Sequence, residues 1–348
     1  MKRLSASTAL LLISIAFATQ ARAANPEHVK QLLQTKECKG CDLSNARLKG
    51  ASLKGANLEG ANLEGVYLYK AYLVDANLSR ANIKSADLGD SNMRGINFSG
   101  SDLTNTNLKG NDMTGANFEN ANLSGAVLEC NKTNRTKLGY ANLKKANLSN
   151  ANLKGVWLEG ANLAGADLNY ADLSPDTAEG DGGIYTFYSN VSRANLSDAN
   201  LSNTNLERAI FYRANLNNAK LTNANLNDAK LMMAQLRGAN LMNAYLNDAN
   251  LVMAQLMGAN LMKASLREAN LERANLSNAN LNNADLVKSK LVDANLTNAM
   301  LKSARLVDIN MSGANLMGAD ISGAEMRKNK LCRVTMPDGT KTEESCDK

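Results

Sequence analysis

Residues 56–65 read ANLEGANLEG, the same five letters twice, and similar pentads run from about residue 41 to about residue 326. A period of five fits neither common element. On a helix, successive leucines would step by about 140° and wrap all round it. On a single strand, an odd spacing sends them to opposite faces. The repeat therefore demands a chain that turns once per pentad. Let the leucine position be i. Position i−2 is usually Ala, i−1 is Asn or Asp, and i+1 and i+2 are polar or Gly. If i and i−2 point inward, four pentads close a square coil of 20 residues. Coils then stack at the ~4.8 Å spacing of bonded strands. Only a small group at i−2 leaves room for four leucines in one layer. Asn and Gly suit tight, often left-handed corners.

Composition excludes the ordinary alternative. The chain has 348 residues, enough for two globular domains, yet aromatics are 4% and Trp occurs once. A globular core of that size uses more large side chains. Disorder fits no better, because Leu recurs regularly and net charge is small.

These pentads resemble the pentapeptide-repeat family, pattern A(D/N)LXX, over about 290 residues. The resemblance implies an all-β fold, a right-handed quadrilateral β-helix. Many members of that family have no assigned activity, and a few cytosolic ones bind DNA gyrase by imitating DNA and so protect against quinolones. That activity is the alternative reading here. It is disfavoured by a leader sequence and a positive charge.

The leader is residues 1–23. Lys2 and Arg3 precede an apolar stretch from Ala9 to Ala18, and Ala21-Arg22-Ala23 places small residues at the −3 and −1 cleavage positions. The stretch is too short to span a bilayer comfortably. Cleavage lowers the basic residues from 39 to 36 against 33 acids, a charge of +3. That is too small and dispersed to argue for nucleic acid. Asn77-Leu78-Ser79 and many similar sequons favour a bacterial source, with export to the periplasm or beyond.

The pattern breaks in few places. Core positions keep one frame from Leu43 to Leu173 (repeat segment 38–173) and resume in another at Val191 or Leu196 (segment 191–331). The interruption, residues 174–190, reads as a loop because Pro175 and Gly182-Gly183 break the pattern. Tyr185, Phe187 and Tyr188 make it a candidate contact site, or else a cover for the frame joint. Both ends need lids. Residues 24–37 predict a cap helix, with Asn25 as N-cap, Pro26 first in the helix and one apolar face of Val29, Leu32 and Leu33. Residues 332–348 predict a hairpin around Pro337-Asp338-Gly339.

Five cysteines remain. Cys332 and Cys346 flank the expected hairpin and would bond in an oxidising compartment. Cys38 and Cys41, in CKGC, take core positions and form a second candidate disulfide. No thioredoxin-like pattern surrounds them. Cys130 is left over at an outward position. His28, the single histidine, is expected to face solvent. Asp228, Asp248 and Glu268 would stack as an acidic column, read as a solvated face before a cation site. Ser91, Asn111 and Asn131 would stack inward as a hydrogen-bonded ladder, with Thr133 replacing Leu beside them. Met232 and Val252 share one outward column and Met233 and Met253 the next. Met242 and Met262 fall on another side. The four-residue patch at 232–253 is a candidate face for self-association as a homodimer. No catalytic pair, cofactor motif or metal set stands out. The expectation is a non-catalytic exported scaffold whose partner is a protein or glycan.

Overall fold

The computed structural model describes residues 24–131, 133–180 and 183–342. The expected leader lies outside them. The backbone coils with a twenty-residue repeat, and every coil has four faces. Parallel bridges join Glu37 to Asn57 on face A, Asp42 to Asn62 on face B, Arg47 to Tyr67 on face C and Ser52 to Tyr72 on face D. Face A runs in fourteen steps from Glu37 to Thr335, roughly 67 Å at the strand spacing. Each face is only a few residues long, so extended strands are few. The longer elements among the described residues are a helix, α1 (Pro26–Thr35), strands β1 (Asp176–Gly180) and β2 (Gly183–Phe187), and a pair on face C, β3 (Arg305–Val307) and β4 (Glu325–Arg327). β1 and β2 pair antiparallel, β3 and β4 parallel.

The pentad satisfies every backbone N–H. In residues 56–60, the Ala56 N–H closes a turn onto Leu53 O at 3.1 Å, and the Asn57 N–H reaches back one coil to Lys36 O at 2.8 Å. Leu58 and Gly60 donate forward to Asn77 O and Ser79 O, at 2.7 and 2.8 Å. The fifth N–H, on Glu59, goes to Asn57 Oδ1 at 3.2 Å. Asn or Asp before the leucine therefore serves mid-face, satisfying the amide the coil leaves over, and not only at corners. Its Nδ2 also donates to the neighbouring coil, as from Asn97 to Asn77 Oδ1 at 3.0 Å. The corners fall two residues after each leucine, where φ is left-handed: +64° at Gly60, +56° at Asn105, +59° at Lys70.

Inside, Leu58 and Leu276 are fully buried, as are the alanines two residues before them. Phe98 and Phe118 replace leucine in adjacent coils of face A and stack with ring centres 5.1 Å apart.

The register slips twice, each time between faces C and D. Asp112 pairs with Lys137, twenty-five residues on, and Trp157 with Asn190, thirty-three on. The first slip is five residues, so it preserves the leucine frame and is silent in the spacing. It corrects one expectation: Asn131 and Thr133 do not enter the core, because residue 131 and residues 133–135 lie outside the coil as a bulge. Thr136 is buried in the place expected for Asn131, accepting from the Gly110 N–H at 2.9 Å and donating to Glu129 O at 2.9 Å. The ladder reduces to Ser91 N–H donating to Asn111 Oδ1 at 2.6 Å. Asn111 Nδ2 stays buried without a partner. Asn131 Nδ2 turns to Asp90 Oδ1. The second slip is the 174–190 segment. It is a β-hairpin rather than a plain loop, because residues 184–188 (IYTFY) are strand formers.

At the start, Asn25 Oδ1 accepts the Glu27 N–H at 3.0 Å, and α1 buries Leu32 on the first coil. His28 does not simply face solvent: its Nδ1 accepts the Asp42 N–H at 2.9 Å, covering an edge amide of that coil. At the finish, the repeat continues through Thr335, past the expected boundary at 331, before Met336 N–H bonds Thr340 O at 2.7 Å across the Pro337-Asp338-Gly339 turn.

Candidate functional site: a stapled corner and a methionine groove

The bulge and the hairpin stand one coil on either side of a regular corner whose residue is Gly155. They close over it. A Cβ on Gly155 would lie 2.8 Å from Cys130 Sγ and 2.9 Å from the Cβ atoms of Asp176 and Phe187. Arg135 staples the assembly. Its Nε donates to Gly155 O at 2.6 Å, and Nη2 donates to Val156 O at 3.2 Å and to Tyr188 O. The guanidinium carbon also stands 5.0 Å from the Trp157 ring centre. Burial pulls the guanidinium pKa down from its ordinary value, while burial pushes the Asp176 carboxyl up against the opposing Thr177 N–H.

Cys130, expected to be outward, is buried beneath this cover. Burial pushes its thiol up to about 11. The three aromatics of the hairpin divide their tasks. Phe187 is half-buried over Gly155 and lines a recess of about 280 Å³ with Asp112, Asn134, Arg135 and Lys137. Tyr188 is tied through its carbonyl to Arg135, and its ring centre lies 5.8 Å from Lys230 Nζ on face D. Tyr185 is exposed, beside Ile184, which is 72% exposed and which sequence reasoning passed over.

Lys230 precedes Met232 by two residues, so the hairpin, which leaves the coil between faces C and D, reaches through Tyr188 to the face that carries Met232. The expected four-residue patch divides. Met232 and Val252 lie on face D, while Met233 and Met253 sit at the corner between faces D and A and line a groove of about 560 Å³ with Met257, Asn217, Gln235, Arg237 and Gln255. The groove coincides with a break in the asparagine ladder of face A. Asn142 Nδ2 donates to Asn117 Oδ1 at 3.1 Å and Asn215 to Asn195 at 2.9 Å. The next two residues on that face are Gln235 and Gln255. The ladder resumes with Asn295 to Asn275 at 3.3 Å. Two glutamines in an asparagine column were the signal for this site.

Arg208 pairs with Asp228 at 3.7 Å and Lys288 with Glu268 at 3.2 Å, so bases bracket the acidic column. Cys38 and Cys41 are joined as a disulfide in the first coil. Cys332 is buried, and Cys346 lies outside the described residues together with that pairing. Among the described residues, no group of His, Cys, Asp or Glu is placed to hold a metal ion, and no helix is long and apolar enough to cross a membrane.

No curated protein matches the chain. Among solved structures it is similar to HetL from Nostoc sp. strain PCC 7120, a pentapeptide repeat protein involved in heterocyst differentiation regulation, at 28% identity over 81% of this chain and 91% of that one, with a TM-score of 0.37. Rfr23 from Cyanothece 51142 is 34% identical over 34% of this chain and 83% of its own, with a TM-score of 0.27. QnrB1, a plasmid-mediated fluoroquinolone resistance protein, is 21% identical over 53% and 89%, with a TM-score of 0.28. Assignment rests on the sequence family called pentapeptide repeats, which matches in eight segments: 37–68, 56–100, 91–129, 141–174, 189–228, 225–261, 259–298 and 294–328. The matches omit 130–140 and 175–188, the two places where bulge and hairpin leave the coil. On this evidence the chain belongs to the pentapeptide-repeat family.

Proposed function

We propose that the protein is a non-catalytic exported scaffold that presents a contact surface on face D to a protein or glycan partner. One observation carries the reading: the two departures from a monotonous shaft are pinned to each other by Arg135 rather than left as independent loops. A held hairpin with exposed Ile184 and Tyr185 offers anchors whose ordering cost is already met, which favours affinity. The leader at 1–23 supports export. Fractionating the native host, with mass analysis of the mature N-terminus, tests that part: the expected product begins near Ala24 in the exported fraction. An intact chain in the cytosol would contradict it. Met232 and Val252 further down face D serve a homodimer in this account. Ultracentrifugation of Met232→Lys beside the parent checks that, the expected result being a dimeric parent and a monomeric variant.

A further inference from the structure

We propose that Met233, Met253 and Met257 form a binding site for one Cu(I) ion. Met233 and Met253 occupy the same corner one coil apart, about 4.8 Å between backbones, and Met257 lies on face A in the coil of Met253. All three are half-buried and line one groove. The corner backbone is left-handed, with φ of +59° at Met233 and +58° at Met253. Side chains other than Gly, Asn and Asp hold that conformation at some cost. Among the described non-glycine corners these two are the only thioethers.

The ligand set selects the ion. No carboxylate, imidazole or thiol lines the groove, so Ca²⁺, Mg²⁺ and Zn²⁺ find no anionic or imidazole ligand there. Thioethers suit soft Cu(I). Methionine has three rotatable bonds, which let sulfurs on adjacent coils converge on one ion. The floor leaves them free to do so. Gln255 donates its side-chain amide to Met253 O at 3.1 Å, and Gln235 accepts from Asn217 Nδ2 at 3.3 Å, so no asparagine ladder crosses between the sulfurs. Arg237 also lines the groove, and its charge opposes a divalent ion twice as strongly as a monovalent one.

The test is an anaerobic titration of the mature chain with Cu(I) against a chromophoric chelator, beside Met233→Leu/Met253→Leu/Met257→Leu. Leucine preserves volume and apolarity and removes the sulfur, so a groove used only for apolar contact is unaffected. The parent should take up one equivalent more than the triple variant, and each single Leu should weaken that equivalent at least tenfold. Cys130 is common to all and cancels in the difference. Ag(I), as a redox-inert probe of the parent, should shift the methyl resonances of these three methionines and leave Met317 unmoved. Equal stoichiometry in parent and triple variant, or Zn(II) held as tightly as Cu(I), would overturn the site.

Discussion

Arg135 lies against Trp157, guanidinium carbon 5.0 Å from ring centre, while its nitrogens hold carbonyls of Gly155, Val156 and Tyr188. One side chain from the bulge thus ties the regular coil to the hairpin. Hydrogen bonds from a charged group are worth roughly 1.5–3 kcal/mol each, so Arg135→Ala should release the cover without unfolding the shaft. Alkylation of native Cys130 should then speed up on the order of tenfold or more. An unchanged alkylation rate would remove the staple.

Gly155 and Gly115 separate two costs of a corner. Both have positive φ, +63° and +71°. A Cβ at Gly115 meets nothing within 4 Å, whereas at Gly155 it meets Cys130, Asp176 and Phe187. Gly115→Ala should cost about 1–2 kcal/mol of backbone strain. Gly155→Ala should cost more, by about 1–3 kcal/mol of overpacking. Equal melting shifts in the two variants would show that the hairpin does not press on Gly155.

Cys130 gives the joint a pH signature. Its folded thiol is pushed up to about 11 by burial, against an ordinary value of 9.0. Below pH 9 the thiol is protonated folded or unfolded, and its contribution is fully present. Between pH 9 and 11 only the unfolded state loses the proton, so stability falls, by up to about 2–3 kcal/mol. The parent's stability, measured relative to Cys130→Ala, should therefore decline through that window and be level below it.

Leu58 and Leu276 test the inward assignment itself. Each is fully buried, and aspartate there would place an unpaired charge among apolar neighbours. Either substitution should cost at least about 3–5 kcal/mol and unfold adjacent coils. Unchanged melting in both would contradict the packing.

The pentad made the shaft legible because its chemistry is local. One leucine, one small residue and one turn recur, and Leu43 predicts Leu63 without knowledge of anything between. The mid-face role of Asn57 was less visible, since an amide left over by the coil shows only once the other four are assigned. The bulge was hidden for an arithmetic reason: five extra residues leave the leucine frame unchanged, and only the polar Asn131 and Thr133 hinted that the core was elsewhere. The burial of Cys130 and the division of Met232 from Met233 follow from how neighbouring coils and the hairpin fold over a corner. Such contacts have no fixed spacing in the chain.

The central claim is that contact happens where the shaft departs from its repeat, at the hairpin that leaves the coil between faces C and D. Deleting residues 176–188 shortens the step from Trp157 to Asn190 from thirty-three residues to the regular twenty, and Pro175→Gly in the same variant lets the new corner two residues after Leu173 take its left-handed φ, so the variant should still coil. The decisive measurement compares what the full mature chain and this deletion retain from the exported fraction of the native host, with melting curves confirming that both are folded. The account predicts a protein or glycan bound by the full chain and lost from the folded deletion. The same material retained equally by both would contradict it.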